Sequence, residues 1–352
     1  MNFIIYGAGV YGKKIFERWH AADDVTFLGY YDRVKSGDML GIPIIKMEKG
    51  DRNIPVLISL YNTMDAFDVY VDLREKGFKN IFWYKGNPYT NVFAKQIIDM
   101  NSLGDAILPQ VEMHISDCCN LNCVGCTHFS PLFHKIDADF ETRINDIKNL
   151  KKKVTHIMGF NLLGGEPFLN PEIGEYVREM RRLLPNTRLN IVTNGILLPK
   201  VSKDILKQIK LNEVVINITE YIPTNKIINE IQKCLDEAQL MYKIRKTDNL
   251  FNKPLDLRKE KYNNKCISNG CVNIYNGKIS RCPTLMYVNK FNETFEQKLP
   301  MDGIMPIINS FDGKEFLKKL REPVPLCSYC VENPIKWSRC SGKPTIKDFA
   351  EI

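Results

Sequence analysis

Cys119, Cys123 and Cys126 stand at C-x3-C-x2-C spacing within the stretch DCCNLNCVGCTHFS, residues 117–130. Soft thiolates suit iron–sulfur clusters, and three so close together can hold three corners of a four-iron cubane. The fourth iron then stays open to another molecule. A structural zinc site would be closed by a fourth protein ligand. The adjacent Cys118 cannot join the three-cysteine spacing and reads as a bystander. Further on, Gly164-Gly165-Glu166-Pro167 follows directly on the apolar run 157–163. Alone, that motif is an ordinary strand-to-helix turn.

C-x3-C-x2-C followed at this distance by strand-GGEP resembles the radical SAM superfamily. The resemblance implies that a [4Fe-4S] cluster binds S-adenosylmethionine (SAM) through its amino and carboxylate groups at the open iron. Gly164 and Gly165 would expose backbone to the methionyl ammonium, and Glu166 would fix that segment or the ammonium itself. An electron from a reductase such as flavodoxin or ferredoxin would then cleave SAM to methionine and a 5′-deoxyadenosyl radical, which abstracts hydrogen from a substrate. Asn217 falls where members often put a small polar residue near the adenosine ribose, although INITEY departs from the commoner pattern with Ser and Asp. Asn194 is a further cofactor-side candidate and equally a helix cap. Gly125 stands where many members carry an aromatic residue bordering adenine; Phe129 serves instead, or the contact is absent.

The elements that position these residues are repeated strand–helix units. Val111–Ile115 leads into the cysteine loop, and a helix with Phe140, Ile144, Ile147 and Leu150 on one face follows. Ile157–Leu163 leads to GGEP, and Asn170-Pro171 opens a helix carrying Ile173, Val177, Met180 and Leu184. Strands at 188–193, 214–218 and 240–245 and a helix at 225–239 continue the series. Parallel βα units with candidate residues after strand ends describe an α/β barrel. The resemblance implies a partial (β/α)6 barrel, here over residues 109–258.

Residues 1–90 read as a separate Rossmann-like βαβ domain, joined by a linker over 91–108. The apolar run 2–6 enters Gly7-Ala-Gly9-Val-Tyr-Gly12, a helix follows, and the strand 25–31 ends in Asp32. That is the dinucleotide fingerprint with its acidic ribose partner twenty residues after Gly12. With Gly41-Ile-Pro-Ile44, the domain resembles the small N-terminal nucleotide-binding domains of bacterial sugar-modifying proteins. Its ligand is a nucleotide sugar, a dinucleotide, or nothing, in which case it is a docking module.

Residues 259–352 carry Cys266, Cys271, Cys282, Cys327, Cys330 and Cys340. The segments 272–275 and 278–280, joined by Asn276-Gly277, predict a hairpin with a type I′ turn. The cysteine pattern resembles the SPASM/twitch extensions of radical SAM enzymes, with too few cysteines for a full SPASM domain. One auxiliary [4Fe-4S] cluster is expected, on Cys282, Cys327 and Cys330 with Cys266 or Cys271 as the fourth ligand. Zinc is the alternative for such thiolates. Cys340 is left over, and Cys234 lies on an apolar helix face as core.

The chain has 352 residues, 44% apolar and 26% charged, with a net charge of +8. The lysines are spread over helices as solvated faces, so nucleic acid is not expected, though a phosphorylated substrate is allowed for. No apolar run reaches membrane-spanning length, and MNFIIYGAG lacks the basic start of a signal peptide, which predicts a cytoplasmic protein. Eleven cysteines in such a chain point to metal or chemistry rather than disulfides. The expected function is a radical SAM oxidoreductase acting on a sugar or nucleotide sugar in surface polysaccharide biosynthesis, by dehydrogenation or epimerisation. The alternatives are a peptide- or protein-modifying maturase and a non-catalytic redox-sensing scaffold.

Overall fold

The computed structural model describes residues 1–22, 24–86, 96–135, 139–246, 250–258, 266 and 270–352. They fall in two units, Met1–Pro109 and Gln110–Ile352.

In the first unit the apolar N-terminus becomes β1 (Asn2–Tyr6), followed by α1 (Val10–Trp19), β2 (Thr26–Tyr31), β3 (Gly37–Met39), β4 (Ile42–Ile45), β5 (Val56–Ile58), α2 (Thr63–Glu75), β6 (Ile81–Tyr84) and β7 (Ile97–Asp99). The sheet order is β3-β4-β2-β1-β5-β6-β7, with β1 parallel to β2 and β5. Central strands reached by helical crossovers are covered on both faces, so they read as continuous apolar runs. Phe3, Ile5, Ile15, Tyr30 and Leu57 are accordingly fully buried. β7 draws residues 97–99, from the segment expected to be a linker, into this sheet by antiparallel pairing with β6.

In the second unit β8 (Ile107–Ser116), α3 (Phe140–Lys153), β9 (His156–Gly164), α4 (Ile173–Leu183), β10 (Arg188–Thr193), α5 (Lys203–Leu211), β11 (Val215–Glu220), α6 (Ile222–Asn225), α7 (Ile228–Glu237) and β12 (Met241–Lys246) alternate. β9 to β12 run parallel in register. α4 shows why the helices lie on the sheet. Ile173, Tyr176, Val177, Met180 and Leu183 recur at helical spacing and are buried together. The helix begins after Asn170, whose side chain accepts from Glu172 N at 2.8 Å and donates to the Ile115 carbonyl, tying the turn after GGEP to β8.

Beyond β12 come β13 (Leu250–Asn252), β14 (Leu255–Asp256), β15 (Val272–Tyr275), β16 (Lys278–Ser280), α8 (Pro283–Phe295), β17 (Met305–Pro306), α9 (Gly313–Arg321), β18 (Pro334–Lys336) and β19 (Ala350–Glu351). The β15–β16 hairpin has φ of +47° at Asn276 and +74° at Gly277, the type I′ turn its sequence predicts. It does not stand apart from the barrel strands. β15 pairs in parallel with β8, giving one eight-stranded sheet in the order β12-β11-β10-β9-β8-β15-β16-β17.

α3 grips the hairpin turn. Gly277 N donates to Asp146 Oδ1 at 2.8 Å and Arg143 donates to Asn276. Asp146 is buried, its Oδ2 has no hydrogen-bond partner, and burial raises its carboxyl from 3.8 to about 6. Between about pH 4 and about pH 6 the folded chain therefore holds a proton that the unfolded chain has lost, so this group makes stability fall as pH rises through that window. Asp146→Asn keeps the acceptor for Gly277 without the charge. The variant should melt at a higher temperature than the parent at pH 7.5, with the gap closing towards pH 4. A gap that is the same at both pH values would show that Asp146 does not titrate in this range.

Candidate active site

The cysteine loop leaves the end of β8 and folds back over an apolar floor. Cys123 is buried, Cys119 and Cys126 are half-buried, and Leu121, Ile196, Tyr221, Phe251 and Trp337 pack around them. Burial pushes the Cys119 thiol up to about 12 and moves Cys123 and Cys126 the same way. The charge of Cys126 adds to the upward push on the other two. Three thiols side by side in such surroundings ionise together only around a cation, a role that iron suits. Among the described residues no three His, Cys, Asp or Glu side chains converge around one ion. A cubane, which offers a separate iron to each thiolate, requires no such convergence. The donor set fits a cluster.

The GGEP turn is pressed against this loop. Gly165 N donates to Ser116 O at 2.8 Å, and Glu166 N donates to Cys118 O at 3.0 Å. A Cβ on Gly164, whose φ is +153°, would lie 1.9 Å from Ser116 O; one on Gly165 would lie 2.1 Å from Cys118 O. Only glycine permits this approach. Because those two N–H groups are used inside the protein, what the turn has for an ammonium, itself a donor, is carbonyl oxygen. Glu166 is fully buried and accepts from Thr193 Oγ1 at 2.7 Å, Asn194 N at 2.9 Å and Phe168 N at 3.1 Å. Burial lifts its carboxyl to about 7. Of the two roles expected for Glu166, holding the segment is the one its bonds perform.

Asn194 is drawn to the cysteine loop, with Nδ2 2.7 Å from Asn120 Oδ1 and 3.9 Å from Cys119 Sγ. It is not a helix cap: its Oδ1 closes a turn on Ile196 N, and the short helix beyond is preceded by Leu197. Asn217 lies in register with Val192 and Lys243. In the same sheet, Asn161, Asn190, Asn273 and Glu112 are bonded into one buried polar layer. Phe129 is a core residue. It is fully buried at 5.4 Å from Phe291 and 5.5 Å from Phe349, in the core under α8 against which Cys126 also packs. Gly125, at φ +76°, has no room for a larger residue, since a Cβ would meet Asn252 O at 2.4 Å. β13 occupies the space that an aromatic side chain there would need.

Two groups near the loop escape sequence reasoning. One is a buried relay in which Asp117 Oδ1 lies 3.0 Å from His114 Nδ1, and His114 Nε2 lies 2.6 Å from His128 Nδ1. Tyr275 OH donates to Asp117 at 3.1 Å, and Tyr287 stacks on His114 at 4.1 Å. A histidine three residues before the carboxylate that opens the motif was the available signal. The other is the C-terminal stretch. Val124 N donates to Ser338 O at 3.0 Å, Gly125 N to Asp348 O at 2.7 Å and Cys340 N to Asn122 O at 2.8 Å. Cys340, left over in the sequence, thus belongs beside the first cysteine loop. No spacing rule links residues more than two hundred positions apart.

The remaining cysteines form a second group. Cys282 precedes α8 and its sulfur accepts from Leu285 N at 3.5 Å, while Cys327 Sγ accepts from Val324 N at 3.5 Å. Burial raises Cys282 to about 12 and Cys330 to about 11, and the charges of Cys266 and Cys327 push both further. Cys271 is raised first by the neighbouring Glu112 and then by burial. The charges of Cys282 and Cys266 raise Cys271 as well, so Cys266 and Cys271 both share the surroundings of Cys282. Cys234 is half-buried, its sulfur 3.6 Å from Leu198 O.

In the first unit, Gly12 and Gly7 serve the turn: a Cβ on Gly12 would lie 2.0 Å from Gly7 O, and Gly7 has φ +108°. Gly9 has open space where its Cβ would be. Asp32 accepts from Ala8 N at 2.8 Å and from Val34 N and Lys35 N at 2.9 Å, and these bonds hold its carboxyl below the usual range despite burial. The expected ribose partner thus already braces the glycine loop.

Residues 113–246, from β8 to the end of β12, match the Radical SAM superfamily. A GTP 3′,8-cyclase of Clostridium acetobutylicum is 30% identical over 138 residues, 36% of this chain and 42% of that protein. The enzyme of the same name from Microcystis aeruginosa is 34% identical over 97 residues, 26% of this chain and 29% of that protein. The chain thus spans less than half the length of these curated relatives. Among solved structures, BtrN in complex with AdoMet and 2-DOIA is 15% identical with a TM-score of 0.39, covering 63% of this chain and 92% of that one. Among the described residues no helix is long and apolar enough to cross a membrane. Residues 113–246, which carry the three-cysteine loop, the GGEP turn and Asn194, are the part of the chain that matches the Radical SAM superfamily.

Proposed function

We propose that the chain is a cytoplasmic radical SAM oxidoreductase acting on a sugar or nucleotide sugar in surface polysaccharide biosynthesis, by dehydrogenation or epimerisation. Cys119, Cys123 and Cys126 hold the cluster, and the Gly164–Glu166 turn with Asn194 and Asn217 flanks the SAM site. When bound, the cluster and SAM supply a 5′-deoxyadenosyl radical, with the electron coming from a flavodoxin or ferredoxin. Cys282, Cys327 and Cys330, with Cys266 or Cys271 as the fourth ligand, hold an auxiliary cluster. Residues 1–90 act as a Rossmann-like nucleotide-binding domain and residues 259–352 as the twitch-like extension. The observation that carries the substrate class is the glycine loop before α1. Free N–H groups at a helix start favour a diphosphate, and the backbone at Gly9 is unobstructed.

The test is turnover of reduced, reconstituted full-length protein with deuterated nucleotide sugars and peptides, following deuterium into 5′-deoxyadenosine. Label should come from a nucleotide sugar. Gly9→Val, whose Cβ would have open space around it, should abolish nucleotide-sugar binding in calorimetry. Label from peptides instead would turn the assignment to a maturase. Unaltered turnover in Gly9→Val would leave the first unit as a docking module.

A further inference from the structure

We propose that Trp337 sets the reduction potential of the cluster at Cys119, Cys123 and Cys126, an inference that rests on those cysteines holding it. The indole Nε1 lies 3.2 Å from Cys123 Sγ, and both residues are buried. Indole N–H is a donor only, so the direction of this bond is settled by chemistry. The ring is clamped in place. Arg339 bridges Cys123 in antiparallel fashion, Ser338 O accepts from Val124 N, and Cys340 N donates to Asn122 O. Tyr221 lies 5.9 Å away, and Leu121 packs in the same apolar group. A side chain that served only to fill space would not need its single polar atom aimed at the thiolate.

The effect has a definite sign. Each added electron spreads negative charge onto the cluster's sulfur ligands. A fixed N–H dipole pointing at one of them stabilises the reduced cluster more than the oxidised one, and water excluded by the surrounding rings does not screen it. Trp337 therefore makes the cluster easier to reduce by a one-electron carrier of low potential. The extension so acts on the barrel's cluster through one hydrogen bond, as a positioning residue.

Trp337→Phe keeps an aromatic ring and removes the N–H. In a redox titration of the reconstituted protein followed by electron paramagnetic resonance, its reduction equilibrium should be about tenfold less favourable, a midpoint about 59 mV more negative for a one-electron couple. An unchanged midpoint at equal iron content would overturn the proposal. If the variant fails to hold its cluster, the parent protein grown with 15N-indole tryptophan decides. The chain has three tryptophans, and Trp19 and Trp83 belong to the first unit. A 15N hyperfine coupling in the reduced cluster is expected, and its absence would sink the proposal. Iron content indifferent to loss of the three cysteines would instead defeat the cluster assignment itself.

Discussion

Alanine at Cys119, Cys123 and Cys126 together should leave about half the iron and sulfide of the parent, and no SAM cleavage. The parent should hold about eight of each if both cysteine groups carry four-iron cubanes. The reason for complete loss is electrostatic as well as coordinative. The three thiols sit where burial opposes their ionisation, so they remain neutral without iron. The fold should survive, since the loop is also held through Val124, Gly125 and Asn122 to the C-terminal stretch. Iron and sulfide analysis with single-turnover 5′-deoxyadenosine measurement checks both halves. A triple variant that keeps all its iron would refute the assignment of the first cluster. One zinc per chain beside a single cluster in the parent would dispose of the auxiliary cluster and spare the first.

Glu166→Ala is the second large effect. It strands Thr193 Oγ1, Asn194 N and Phe168 N, three donors that now end on one buried carboxylate. An unmet buried donor costs about 1–3 kcal/mol. The variant should therefore lose several kcal/mol of stability by that reckoning and release Asn194 from its place beside Asn120 and Cys119. SAM affinity should fall about 100-fold, equivalent to about 2.7 kcal/mol, with cluster content close to the parent's. Glu166→Gln, which retains an acceptor for Thr193 and Phe168, should lose about tenfold. Equilibrium binding of SAM to the oxidised, reconstituted proteins distinguishes the cases. Equal affinity in all three would reduce GGEP to a turn without a cofactor role.

The parts legible in the sequence were those governed by local rules. Periodicity located the helices carrying Ile144, Ile147 and Leu150, and Ile173, Val177 and Met180, because one face of a helix must be buried and the spacing of that face is set by the helix itself. Asn276-Gly277 fixed the hairpin through the φ signs its turn demands. The cysteine and GGEP motifs marked the chemistry because thiolate donors and close-packed glycines leave few substitutes. Gly164 and Gly165 even carry their reason in their type, although which backbone they meet was hidden.

What only the tertiary structure decided was every partnership between distant segments. Phe129 stands three residues from Cys126 in the chain, and only the fold shows that its ring packs in the core under α8. Chain proximity does not specify side-chain direction. Glu166 could have met an ammonium or the protein; three buried donors arriving from β9, β10 and their turns made it a brace. The β15–β16 hairpin joined the barrel sheet because β8 had an unpaired edge, and a strand edge takes whichever compatible strand can reach it. Trp337 reached Cys123 across 214 positions by the same kind of backbone pairing. Motifs record what a residue can bond to, whereas burial and register, which depend on the whole chain, determine what it does bond to.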